Sequence, residues 1–79
     1  MASPVRLRIL CLLAEREMPV GEIAACLNIR EQAASQQLAQ LRLESLIAPR
    51  RDAQRVFYHL ASPEIERMLE TLREIYCPN

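Results

Sequence analysis

The fold is decided by the stretch VGEIAACLNIREQAASQQLAQLRLE, which covers residues 20–44 of a 79-residue chain. Its first half carries apolar side chains at the i, i+3, i+4 and i+7 spacing of one buried helical stripe: Val20, Ile23, Ala24 and Leu27. Its second half predicts another helix, from about Arg30 to Glu44. The inward positions of that helix are Ala34, Leu38 and Leu41. Two short helices joined by a tight connection indicate a helix-turn-helix.

Two further helices are predicted from capping signals. Ser3-Pro4 supplies an N-cap and a first-turn proline to a helix that runs from Val5 to about Glu15. Ser62-Pro63 repeats this signal before an apolar helical stripe that continues to the C-terminus. These two helices flank the helix-turn-helix in the chain.

Between Glu44 and Ser62 the period changes from helix to strand. Leu46–Ala48 and Val56–Leu60 are β-rich and flank the turn-like Arg51–Ala53, which predicts a two-stranded hairpin, or wing. The expected fold is mostly α with a small β-hairpin, a winged helix-turn-helix of order α-α-α-β-β-α. We expect it to form a single domain over residues 1–79.

Composition limits the class of protein. A chain of 79 residues that is 51% hydrophobic makes one small globular domain, for which a second copy is the expected source of added stability. No stretch approaches the roughly 20 apolar residues that span a bilayer. Three cysteines do not form the even framework of a secreted mini-protein. We therefore expect a cytoplasmic protein with no membrane segment.

The formal net charge is zero, but the charges are unevenly placed. Residues 28–60 carry five arginines against three acidic residues, a net of +2, whereas residues 61–79 carry two arginines against four glutamates, a net of −2. The middle of the chain is therefore able to face phosphates while the C-terminal part stays acidic.

The outward face of the second helix-turn-helix helix is rich in glutamine. Glutamine can bond an adenine edge in two places, and serine or arginine reaches phosphate or guanine. The alternative is a merely solvated polar face, but a long helix with so few paired charges favours double-stranded DNA, with Gln32, Ser35 and Gln36 in the major groove. Arginines on the hairpin are expected at the backbone or minor groove. The full set of candidate DNA-binding residues is Arg30, Gln32, Ser35, Gln36, Gln40, Arg50, Arg51 and Arg55.

The apolar stripe of the last helix is wider than one small core needs. Part of it is therefore expected to be buried against a second subunit in a homodimer. The candidate dimerisation residues are Leu69, Leu72, Ile75 and Tyr76.

With these residues in place, the sequence resembles the ArsR/SmtB family of bacterial winged-helix repressors. The resemblance rests on residues 3–10, 35–42 and 50–60. It implies a homodimer, built largely from its terminal helices, that binds an imperfect inverted repeat of operator DNA and leaves it when an inducer binds.

Within that family, the positions of Cys11 and Cys77 are similar to those of the persulfide- and redox-sensing branch. The resemblance implies a dithiol repressor that is released from DNA when these two thiols are linked by a disulfide or polysulfide bridge. The inducer would be a reactive sulfur species or an oxidant, and the sequence leaves persulfide, peroxide and other electrophiles open. Cys26 has no counterpart in the family and is interpreted as a small buried hydrophobe.

The chain also departs from the family pattern. Family members usually have glycine just after the recognition helix and in the wing turn, where this chain has Ser45 and Ala53. Because glycine favours positive φ, we expect the helix end and the wing tip to differ in geometry. A further helix usually precedes Ser3-Pro4, so either the sequence is trimmed or part of the family's dimer surface is missing.

Other functions remain as alternatives. A metal- or arsenite-responsive repressor is the nearest, but Met18–Gly21 offers no ligand where the family's metal motif lies, and His59 is the only histidine. Cys26 is the only further thiol available to join the other two around a soft ion. The sequence contains no CxxC pair, Gly-rich phosphate loop or Ser-His-Asp arrangement of the kind that would indicate an enzyme. A protein-interaction module would require the glutamine and arginine face to be incidental.

Overall fold

A computed structural model describes the backbone of residues 4–76 and the side chains of residues 4–71. Within this range the elements are α1 (Pro4–Glu15), β1 (Met18–Pro19), α2 (Val20–Leu27), α3 (Glu31–Leu43), β2 (Ile47–Asp52), β3 (Arg55–Leu60) and α4 (Pro63–Tyr76). This is a winged helix-turn-helix, so the fold class expected from the sequence is confirmed. Strand β1 was not expected.

The wing is part of a three-stranded antiparallel sheet with the order β1-β3-β2. In β1, Met18 lies opposite Tyr58 and Pro19 opposite Phe57. Two residues give no alternating pattern, and proline is allowed in a strand only at an edge such as this one. Strand β1 therefore has no signal of its own in the sequence, although it ties the α1–α2 connection to the wing.

The core lies where α1 contacts α2, α3, α4 and β3. Its largest fully buried side chains are Ile9, Met18, Ile23, Leu38 and Leu41. Each contributes on the order of 1.5–3 kcal/mol relative to an exposed position. The inward positions expected in α3 are all buried, which orients the opposite face of that helix toward solvent.

Both helices of the helix-turn-helix end in a Schellman motif, in which a residue with positive φ lets two amides satisfy the last carbonyls. After α2, Asn28 has φ 57°, and the amides of Asn28 and Ile29 donate to Ala25 and Ala24. Asparagine tolerates this conformation because its short polar side chain bonds locally. The motif produces the sharp turn that leads into α3.

After α3 the same motif forms around Ser45, which has φ 62°. The Ser45 amide donates to the Arg42 carbonyl and the Leu46 amide to the Leu41 carbonyl, each at 3.0 Å. At the wing tip Ala53 has φ 58°. The expectation that these two sites differ in geometry for lack of glycine is wrong. The positive φ is kept, at a cost of about 1–2 kcal/mol per residue.

The start of α4 agrees with its capping signal. Pro63 is the first residue of the helix, and the Ile65 amide donates to Ser62 Oγ at 3.3 Å. The equivalent cap proposed for the first helix, Ser3, lies outside the described residues.

Candidate nucleic-acid interface

The outward side of α3 carries a row of uncharged polar side chains, here called the reading face: Gln32, Ser35, Gln36 and Gln40. All four are exposed, because the buried stripe of α3 occupies the opposite side of the helix. Positions 32, 36 and 40 follow one another at i+4 spacing, so they form a line along the helix axis. Amides in such a line offer donor and acceptor pairs to a row of base edges.

A shallow groove separates the reading face from the wing. Its lining residues are Ser35, Leu38, Ala39, Arg42, Leu43 and Tyr58. Arg42 is exposed at the last turn of α3, and Leu43 beside it is 85% exposed. Arg42 and Leu43 were missing from the sequence-based set, although Arg42 lies within the residues that carry the family resemblance. Arg30 is exposed at the N-cap of α3, at the other end of the reading face.

The wing arginines expected to contact DNA do come together on β2 and β3, but they point to two sides of the sheet. Arg50 lies opposite Phe57 and Arg51 lies opposite Val56. Because side chains alternate along a strand, Arg50 and Arg55 share the face of Phe57, and Arg51 lies on the other face. All three arginines are exposed.

Arg50 is held more tightly than its sequence suggested. Its Nε–H donates to Glu17 Oε1 at 2.7 Å, which links β2 to the segment before β1. Its guanidinium also lies over the Phe57 ring, with Cζ 5.1 Å from the centroid. Neither Glu17 nor Phe57 was identified from the sequence. The register of the hairpin would have placed Phe57 beside Arg50, but the Glu17 contact depends on the unexpected strand β1.

Among the side chains of residues 4–71, two other ion pairs link helical regions. Arg6 of α1 forms a bidentate pair with Glu44, the residue that follows α3, in which Arg6 Nη1 donates to Glu44 Oε2 at 2.9 Å. Arg16 Nη1 lies 2.5 Å from Glu22 Oε1, which links the end of α1 to α2. Exposed pairs of this kind contribute at most about 1 kcal/mol each. Their relevance here is that α1 is connected to both helices of the helix-turn-helix.

The cysteines do not follow the burial expected from the sequence. Cys26 is a free, exposed thiol, so its interpretation as a buried hydrophobe is wrong. The buried stripe of α2 runs through Ile23, Ala24 and Leu27, and Cys26 falls beside it. Cys11 is the buried cysteine, at 4% exposure on α1, and its sulfur is disulfide-bonded in the structure. Cys77 lies outside the described residues.

The last helix contributes to the core of the chain. Leu69 is 4% exposed and belongs to the core cluster, with Ile65 packed against it, whereas Met68 is 62% exposed. Leu69, a candidate dimerisation residue, therefore helps to fix α4 against α1 within the chain itself. The side chains of the other candidate dimerisation residues, Leu72, Ile75 and Tyr76, lie outside those described.

His59 is engaged with the backbone, since its Nδ1–H donates to the Leu60 carbonyl at 2.9 Å. No group of three or more histidine, cysteine, aspartate or glutamate side chains suited to a metal ion occurs in the described part of the chain. None of the helices described is long and apolar enough to cross a membrane.

Comparison with known proteins points to one group. The family model described as "Bacterial regulatory protein, arsR family" matches residues 3–48. The transcriptional activator HlyU of Vibrio cholerae is 46% identical over 77 residues, which cover 98% of this chain and 71% of that protein. A biofilm growth-associated repressor of Agrobacterium fabrum is 43% identical over 98% of this chain and 66% of its own length.

Solved structures agree with the sequence relatives. HlyU from V. cholerae has a TM-score of 0.88 at 45% identity, over 98% of this chain and 84% of that one. Its reduced form has a TM-score of 0.84, over 92% of this chain and 77% of that one. The homodimeric winged helix-turn-helix DNA-binding domain of Mb0332 from Mycobacterium bovis has a TM-score of 0.85 at 31% identity, over 94% of this chain and 68% of that one.

Proposed function

Because the chain belongs to the arsR family of bacterial regulatory proteins, we propose that it is a repressor that binds operator DNA as a homodimer and is released when Cys11 and Cys77 become linked. Membership of this family makes the chain a transcriptional regulator with a DNA-binding fold, not an enzyme.

The observation that carries the DNA part is the position of the reading face beside the wing. Gln36 and its neighbours are exposed on α3, and only a shallow groove separates them from the hairpin that bears Arg51 and Arg55. A helix of this kind enters the major groove while the wing lies along the backbone or minor groove. The glutamines then distinguish sequences, and the arginines supply affinity that does not depend on sequence.

The dimer part is supported by the Mb0332 domain, which is homodimeric, and by the exposed Met68 on α4. Replacing Leu72 with Asp on the same helix places a charge in the proposed interface. The variant is expected to be monomeric and to lose binding to paired half-sites, because one subunit contacts only one half-site. Sedimentation velocity measures the change, with Glu70→Asp as the exposed control on the same helix. A Leu72→Asp protein that stays dimeric would place the interface elsewhere.

The switch part is supported by the place of Cys11 in the fold. It is buried on α1, the helix that packs against α4 and also pairs with the end of α3 through Arg6 and Glu44. A covalent link from Cys11 to Cys77 would restrain α1 relative to the C-terminal end of α4. Because α1 contacts α3 directly, such a restraint has a physical route to the reading face.

The chemistry balances with a persulfide as oxidant. One thiolate attacks the sulfane sulfur of the persulfide, expels a thiol and becomes a persulfide itself. The second thiolate then closes the disulfide and releases hydrogen sulfide. If a second persulfide molecule first transfers its sulfane sulfur to the protein persulfide and leaves as a thiol, closure by the second thiolate gives a trisulfide and again releases hydrogen sulfide.

The proposed switch is tested by measuring persulfide-induced release from DNA for three single variants. Cys11→Ser and Cys77→Ser are each expected to bind DNA normally and to ignore persulfide, whereas Cys26→Ser is the matched control and responds like the parent. A coupling of about 1–3 kcal/mol weakens DNA binding by roughly 5- to 150-fold in the parent. Mass spectrometry of the treated parent identifies the linked peptides. Release of Cys77→Ser by persulfide, with no mixed product on Cys11, would overturn the two-thiol mechanism.

A further inference from the structure

The outer face of the wing carries three stacked side chains, here called the wing stack: Arg50, Phe57 and Arg55. Arg50 faces Phe57 across the β2–β3 pair, and Arg55 precedes Phe57 by two residues on the same strand. The guanidinium carbons of Arg50 and Arg55 lie 5.1 Å and 5.2 Å from the centroid of the half-buried Phe57 ring. Both distances fall within the roughly 6 Å at which a cation is attracted to an aromatic face.

The two arginines of the wing stack differ in their remaining partners. Arg50 also donates to the carboxylate of Glu17, so its charge is already balanced. In the part of the chain whose side chains are described, no carboxylate forms an ion pair with Arg55. Among the described side chains, Arg55 is therefore the arginine of the wing stack whose charge no carboxylate offsets.

Stacking restricts an arginine without blocking its hydrogen bonds. The ring covers the flat face of the guanidinium, while the N–H groups point outward in the plane of the group. An arginine held in this way loses less freedom when it meets a phosphate than one that moves freely. Phe57 thus pre-orders Arg55, which pairs with no carboxylate among the side chains that the structure describes.

We infer that Phe57 is a positioning residue for DNA binding, which holds Arg55 ready for a phosphate, while Glu17 retains Arg50 as a structural member of the wing stack. The inference rests on the proposed function, in which the wing contacts DNA. Glu17 and Phe57 thereby have roles in the wing, and Arg50 is not among the wing arginines proposed to bind phosphate.

The first measurement uses the free protein. The ring current of Phe57 is expected to shift the Arg50 and Arg55 Nε–H proton resonances upfield in the NMR spectrum of the parent. Phe57→Leu removes the ring but keeps an apolar side chain, so both resonances return toward the positions of exposed arginines. Phe57→Tyr keeps the ring and retains the shift. Unshifted resonances in the parent would contradict the wing stack directly.

The second measurement is DNA affinity, by fluorescence anisotropy on a site selected from random-sequence DNA. Phe57→Leu is expected to bind about 2- to 5-fold more weakly, on both the selected and a scrambled site, and Phe57→Tyr to bind like the parent. In an Arg55→Ala background Phe57→Leu is expected to have no further effect, because Phe57 acts through Arg55. A loss that persists in that background would overturn the inference.

The test of Glu17 predicts a gain in DNA affinity, whereas the test of Phe57 predicts a loss. Glu17→Gln frees the charge of Arg50, so DNA binding tightens and the slope of log K against log salt steepens by up to about 0.9. The gain is expected to vanish in an Arg50→Ala background. A gain that survives there, or no gain at all, would overturn the role of Glu17. If the parent itself bound no DNA, the proposed function would fail and the inference with it, whereas equal affinities of parent and Phe57→Leu would overturn the inference alone.

Discussion

The reading face of α3 and the wing present polar groups in contrasting ways. On α3 the exposed groups are uncharged amides and a hydroxyl, fixed only by the helix backbone that carries them. On the wing they are arginines. Arg50 and Arg55 are stacked on Phe57, and Arg50 is also ion-paired to Glu17. A regular helix already sets the direction of short polar side chains, whereas long cations on a narrow hairpin need neighbours to hold them. Under the proposed function, this contrast assigns sequence discrimination to α3 and sequence-independent charge to the wing.

The largest expected effect that tests this contrast is at Gln36. Gln36→Ala is expected to weaken binding to the specific site by roughly 1–3 kcal/mol and to leave random DNA almost unchanged, because a lost bidentate base contact affects only the matching base. Fluorescence anisotropy on both DNAs measures it. Gln37→Ala, a half-buried position next along the helix, is the control. Equal losses on the two DNAs would remove Gln36 from the reading face.

A smaller effect is expected at Arg51, which lies on the face of the wing away from Phe57. Arg51→Ala is expected to weaken binding to specific and random DNA alike, since a phosphate contact carries no sequence information. The slope of log K against log salt is expected to become shallower by about 1. A loss confined to the specific site would mean that the wing also reads bases, and the division between the two regions would fail.

The smallest expected effect on stability comes from relieving backbone strain at the end of α3 and at the tip of the wing. Ser45→Gly at the end of α3 and Ala53→Gly at the wing tip are each expected to raise the free energy of unfolding by about 1 kcal/mol, because glycine adopts positive φ without a Cβ clash. For a domain of this size the melting temperature rises by roughly 4–8 °C. Ala39→Gly, exposed within α3, is the control of opposite sign. Unchanged melting for Ser45→Gly would show that the strain is relieved elsewhere.

The helices were predictable because each carries its own local signal. A serine-proline pair in the sequence marks the beginning of the first and of the last helix. The buried stripes of α2 and α3 were predicted from the spacing of apolar residues. The wing was predictable from its β-rich runs. The candidate reading face followed from the same periodicity, since the positions opposite Leu38 and Leu41 must face solvent.

What the sequence did not reveal depends on contacts between distant residues. Strand β1 exists only because β3 lies beside Met18 and Pro19, and the Glu17–Arg50 pair follows from that placement. The positive φ of Ser45 is imposed by hydrogen bonds to Leu41 and Arg42 despite its unfavourable residue type. The burial of Cys26 was predicted wrongly because a small residue next to a buried helical stripe can face either the core or the solvent.

The short strand β1 divides the wing into two mechanical parts. At Phe57 and Tyr58, β3 has a neighbouring strand on each side, whereas from Asp52 to Val56 the hairpin is a ribbon of two strands. A two-stranded ribbon is only marginally stable in water, so its outer amides are expected to exchange with solvent faster than those at the base. The wing is therefore expected to bend near Phe57. Under the proposed function, such a tip would follow a minor groove of varying width, while β1 ties the base of the wing to the segment after α1.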